Sequence, residues 1–85
     1  MRFWASLCDL AEGNNLGCAV IDANSEDEFE ARIAALTKDL PLTYELIWAP
    51  FPPGASLPEF PEDQVNKLVS KDDLDKWGVD LERLS

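Results

Sequence analysis

Hydrophobic positions along the chain fall in short blocks whose spacing changes from one block to the next. Residues 2–10 (RFWASLCDL) show partial alternation of large apolar with small or polar positions, and residues 16–23 (LGCAVIDA) form a second short run rich in strand formers. Two strands are predicted. Ala11-Glu12-Gly13-Asn14-Asn15 lies between them, and Gly and Asn tolerate the positive φ that a reversal requires. A reversal centred on Gly13 sets Leu10 opposite Leu16 and Cys8 opposite Cys18, so the two cysteines are expected to be cross-strand neighbours.

The period then lengthens. Ser25-Glu26-Asp27-Glu28 has the spacing of a capping box, and Phe29, Ile33, Leu36 and Leu40 follow at helical intervals with Ala31, Ala34 and Ala35 around them. The helix is expected to stop near Lys38, because Pro41 confines the residue before it to extended conformations. Residues 42–49 read as a third strand with Tyr44, Leu46 and Trp48 on one face and Glu45 on the other.

Residues 50–61 carry five of the six prolines and predict an irregular arm, which Phe51, Leu57 and Phe60 would hold against the domain. Pro61, Glu62 and Asp63 suit the start of a second helix with Val65, Leu68 and Val69 as its apolar face. Ser70 with Asp73 caps a third, which Gly78 ends, and Val79, Leu81 and Leu84 anchor the last residues. The expected fold is α+β in a single domain, 1–85. It has a ββαβ core over 1–49, a Pro-rich arm over 50–61 and short helices over 62–85. A right-handed crossover gives a three-stranded antiparallel sheet in the order 2-1-3, with the main helix on one face. The other face needs cover from the arm and short helices or from a partner, because three tryptophans are costly to leave in water.

Length limits the chain to one core: 85 residues bury too little surface for two. The absence of His removes imidazole as a base, nucleophile partner or metal ligand. Two cysteines ten residues apart form neither a Cys-x-x-Cys pair nor a zinc set, and both are expected as reduced thiols. Asp73, Asp75, Gly78 and Asp80 begin a calcium-loop pattern that fails at its last position, where Leu84 stands in place of a bidentate Glu. None of the four glycines belongs to a phosphate-cradling motif. No catalytic residue, cofactor or metal is therefore expected. With no apolar run of membrane-spanning length and an acidic residue as early as Asp9, the expected location is cytoplasmic.

Charge is the informative feature. Seventeen acids against seven bases give a net charge of −10, which disfavours direct binding to nucleic acid or an anionic membrane. From Phe3 to Ala31 stand Asp9, Glu12, Asp22, Glu26, Asp27, Glu28 and Glu30 with no Lys or Arg, whereas acids and bases intermix from Pro58 onward. Acids at a helix N-terminus also favour the helix dipole, and surplus charge keeps a small protein soluble. A row of carboxylates on one side would in addition imitate a phosphate backbone and suit a basic protein groove.

In size, charge and the element order from Phe3 to Trp48, together with the lack of catalytic residues, the chain resembles the small acidic inhibitors that phages use against host defence. These include anti-CRISPR proteins, some with a ββαβ core and some acting as DNA mimics. The resemblance implies a non-enzymatic inhibitor that binds a basic surface of a nucleic-acid-handling protein. On the residues of this chain, Asp22, Glu26, Asp27 and Glu30 are the expected charged contacts, Asp9 and Glu12 a second rank, and Trp48 the candidate aromatic anchor. The alternative is an assembly module that forms a homodimer through an uncovered sheet face bearing Tyr44 and Trp48 or the opposite set.

Overall fold

A computed structural model describes residues 1–40 and 43–84. Strand β1 (Arg2–Asp9) pairs antiparallel with β2 (Asn15–Asp22) on one side and β3 (Tyr44–Pro50) on the other, giving the order β2-β1-β3. Helix α1 (Glu26–Thr37) connects β2 to β3. The fold is the α+β arrangement expected from the sequence. Where the third strand was expected to begin, Leu42 lies outside the described residues.

Alternation along β1 separates two cores. Phe3 and Ala5 point to one face, where α1 covers them with Phe29 and Ile33, joined by Ala19 and Ile21 from β2 and Leu46 and Trp48 from β3. Trp4 points to the opposite face with Cys18 and Val20. There the arm and the end of the chain supply Leu57, Phe60, Val69, Leu74, Val79 and Leu84. The arm is docked. Of the two sets that the homodimer alternative considered on β3, Tyr44 and Trp48 pack beneath α1, whereas Glu45 and Ile47 on the second face stay exposed.

Two local expectations are corrected. The hairpin register is Ser6 with Cys18 and Cys8 with Asn15, after an irregularity between Leu7 and Cys8, so the two cysteines are not opposed. The Asp9 carboxylate accepts the Ala11 N–H at 2.7 Å and the Asp9 carbonyl accepts the Gly13 N–H at 2.8 Å. The reversal thus begins inside the run read as strand, one residue before Leu10.

The second helix is absent. Only Glu62–Gln64 make a 3-10 turn, and the chain then becomes extended at Val65 and passes through Asn66 at φ 67°. This segment runs along the outer edge of β2. Val69 exchanges both backbone hydrogen bonds with Cys18 at 2.8 Å, the Asn66 N–H donates to the Val20 carbonyl, and the Asp22 N–H donates to the Asn66 side-chain oxygen. Gly17 makes this approach possible, because a Cβ there would lie 2.9 Å from the Leu68 side chain. Helix α2 (Lys71–Trp77) follows as expected, with a Ser70–Asp73 capping box and Gly78 in the left-handed region, and a 3-10 turn over Leu81–Leu84 closes the described chain.

Candidate interaction surface

The two ranks of acids separate at once. The register places Asp22 beside Arg2 at one end of the sheet, whereas Asp9 and the Glu12 loop lie at the other. Seven residues of strand between Asn15 and Asp22 correspond to about 23 Å. Asp9 and Glu12 also serve the hairpin, where Glu12 accepts from the Asn14 amide at 3.0 Å. They form a separate group at the other end of the sheet.

Glu26, Asp27 and Glu30 stay together at the start of α1, while alternation along β2 turns the Asp22 side chain to the face of Cys18 and Val20, opposite α1, just before the β2–α1 turn. Ser25 starts the helix there, its hydroxyl accepting the Glu28 N–H at 3.2 Å. Glu28 reaches back to the Asn24 N–H at 3.2 Å and accepts from the Arg32 guanidinium at 3.0 Å. The backbone donor and then the guanidinium hold its carboxyl below the ordinary glutamate range. Arg32 lies about 160° round the helix from Glu30, on the flank away from it. Glu26, Asp27 and Glu30 are exposed, and among the described residues no cation lies within ion-pair distance of them. Asp22 is 3.8 Å from the amino group of Met1. Arg2, the nearby guanidinium, is engaged by Glu62 at 2.8 Å, a hydrogen bond that raises the Arg2 pKa and lowers that of Glu62.

Trp48 does not stand on that surface. Its ring centroid is 4.8 Å from Phe29 and 5.9 Å from Phe3, half-buried beneath α1. Its alternation with Glu45, visible in the sequence, marked it as a core position. Tyr44 is likewise tied down, its hydroxyl donating to Thr37 Oγ1 at 3.3 Å. Thr37 is buried and donates in turn to the Ile33 carbonyl at 2.8 Å, a satisfied polar group that periodicity alone does not reveal.

An open groove of about 310 Å³ lies on the opposite face, with Ser6, Cys18 and Ile47 on its sheet side and Leu74, Asp75 and Val79 across from them. The Asn15 amide donates to Ser6 Oγ at 3.1 Å, and the Cys18 sulfur lies 3.8 Å from the same oxygen. The side-chain hydrogen bonds of Ser6 and Cys18 in this groove run to one another and to Asn15. The indole N–H of Trp4, which also lines the groove, is buried and meets no acceptor among the described residues. Among the described residues, no three Cys, Asp or Glu side chains converge as a metal site would require.

No family model, curated protein or solved structure matches the chain. Among the described residues, no helix is long and apolar enough to cross a membrane.

Proposed function

We propose that the protein is a non-enzymatic interaction module that docks its Asp22–Glu30 end on a basic surface of a nucleic-acid-handling protein and blocks it, as anti-CRISPR and similar anti-defence inhibitors do. The observation that carries this reading is the exposure of Glu26, Asp27 and Glu30 with no described cation to neutralise them. Carboxylates presented this way attract a cationic groove at long range and replace the phosphates that it normally holds. Asp9 and Glu12, at the other end of the sheet, remain a second rank, and Trp48 is occupied in the core and does not belong to the docking surface.

Capture from a lysate at low salt, with elution at high salt, tests the reading. Recovery of a basic nucleic-acid-binding protein is expected. Replacing Glu26, Asp27 and Glu30 together by Lys should weaken binding of that protein by at least about a hundredfold at low salt and flatten its salt dependence, since steered association of close charge pairs carries effects of that order. Undiminished binding by the folded triple variant refutes the proposal.

A further inference from the structure

The outer edges of the sheet are finished differently, and backbone phase shows how. The Phe51 N–H donates to the Arg2 carbonyl at 2.9 Å and the Leu10 N–H to the Thr43 carbonyl at 3.3 Å. These contacts fix which β1–β3 pairs exchange hydrogen bonds. Alternation from Arg2–Phe51 makes Trp4–Ala49, Ser6–Ile47 and Cys8–Glu45 the bonded pairs. The N–H and C=O groups of Tyr44, Leu46 and Trp48 therefore point away from β1, and none has a backbone partner among the described residues. On β2 the same reasoning turns Cys18, Val20 and Asp22 outward, and each of these meets the 66–69 segment.

We propose that the β3 edge pairs antiparallel with β3 of a second copy about a two-fold axis at Leu46, merging two three-stranded sheets into one. The sequence of β3 supports this occupant. Tyr44-Glu45-Leu46-Ile47-Trp48-Ala49-Pro50 carries a single charge, has no lysine, keeps an unbroken register with β1 and places its proline last. It thus lacks the devices by which edge strands refuse a partner.

The strand is also self-complementary in one register. With Leu46 opposite Leu46 of the second copy, Tyr44 faces Trp48 in both directions, and every outward N–H meets an outward carbonyl. Glu45 then stands opposite Ile47 and not opposite its own copy, and Ile47, 47% exposed in the single chain, gains a neighbour. Moving the axis to Ile47 would set Tyr44 against Pro50, which has no N–H to give. This association uses a surface different from the Asp22–Glu30 end. It also has the opposite salt response, because two copies of charge −10 repel and salt screens that repulsion.

Sedimentation and hydrogen exchange across a concentration series, at low and high salt, test the proposal on the intact chain. The expected result is a dimer favoured by concentration and by salt. The Tyr44, Leu46 and Trp48 amides should gain protection as it forms, while those of Glu45, Ile47 and Ala49 are protected throughout. Ile47→Glu puts a carboxylate opposite Glu45 twice per dimer and should weaken association about tenfold, whereas Ile47→Lys puts an opposite charge there and should preserve it. Circular dichroism of both variants confirms that each retains the fold. A monomer under all conditions, with the three outward amides exchanging freely, overturns the proposal. So does a dimer that Ile47→Glu leaves intact, or one that both variants weaken equally.

Discussion

The two faces of the sheet are covered by different kinds of structure. One helix covers the first, with a periodic stripe and an aromatic stack in which Phe29 lies 4.8 Å from both Phe3 and Trp48. On the second face, the cover is assembled from the arm, the 66–69 segment, α2 and the last turn, each contributing one or two buried side chains. The first face therefore depends on a few large side chains and the second on backbone tethers that hold many small contributions in place. Substitutions that test this difference should rank accordingly.

Phe29→Ala should have the largest effect. The side chain is fully buried and touches two rings, so truncation should cost about 3–5 kcal/mol. Phe60→Ala, 4% exposed and meeting only the Trp77 ring at 5.6 Å, should fall at the lower end of that range. Urea denaturation of the two variants measures the contrast. An equal or larger loss at Phe60 would show that the second face depends on its large side chains as much as the first.

Val69→Pro comes next. It removes the N–H that donates to Cys18 and should destabilise by about 3 kcal/mol. If the tether organises the second face, near-ultraviolet circular dichroism should also show changed packing of Trp4 and Trp77, with the α1 face retained. Asn66 separates geometry from hydrogen bonding at the same edge. Asn66→Gly keeps the positive φ and loses only the acceptor for the Asp22 N–H, for about 1 kcal/mol. Asn66→Ala adds the strain of a left-handed backbone, for about 1 kcal/mol more. Equal losses would mean that the segment relaxes out of its left-handed turn.

The same contrast explains what the sequence makes legible. Phe29, Ile33 and Leu36 recur at helical spacing, and Tyr44, Leu46 and Trp48 alternate, so the first face and the order β2-β1-β3 follow from periodicity and one handedness rule. Both helix starts are legible from Ser25 and Ser70, whose hydroxyls accept locally. Residues 65–69 are not, because Val65, Leu68 and Val69 suit a short helix face as well as an edge strand. The choice is made by the Gly17 approach and the β2 edge, about fifty residues away. At the candidate surface, helical spacing kept Glu26, Asp27 and Glu30 together, whereas the distance of Asp9 and Glu12 emerged from strand register and the facing of Asp22 from the alternation of β2. Trp48 was legible as core from its own alternation with Glu45, and reading it as an anchor gave too much weight to residue type.

The smallest predicted effect concerns pH and again sets one face against the other. Glu28 secures the start of α1 through the Asn24 N–H and Arg32, and Glu62 fastens the start of the second face's final segment to Arg2. Both carboxyls are held below the ordinary glutamate range, so between the folded and unfolded values the unfolded chain binds more protons. Their contribution is present above the ordinary glutamate value and is lost as pH falls through the lower folded one. Acidification also relieves the repulsion within a chain of charge −10, so the two effects oppose each other and only a difference isolates the pair. Denaturation of Glu28→Gln and Glu62→Gln beside the parent should show a small deficit at neutral pH that closes on acidification, with Gln retaining an acceptor oxygen in each case. A deficit that persists unchanged into acid would assign these contacts to geometry alone. A deficit confined to Glu28 would locate the acid sensitivity in the α1 face, leaving the second face to its backbone tethers.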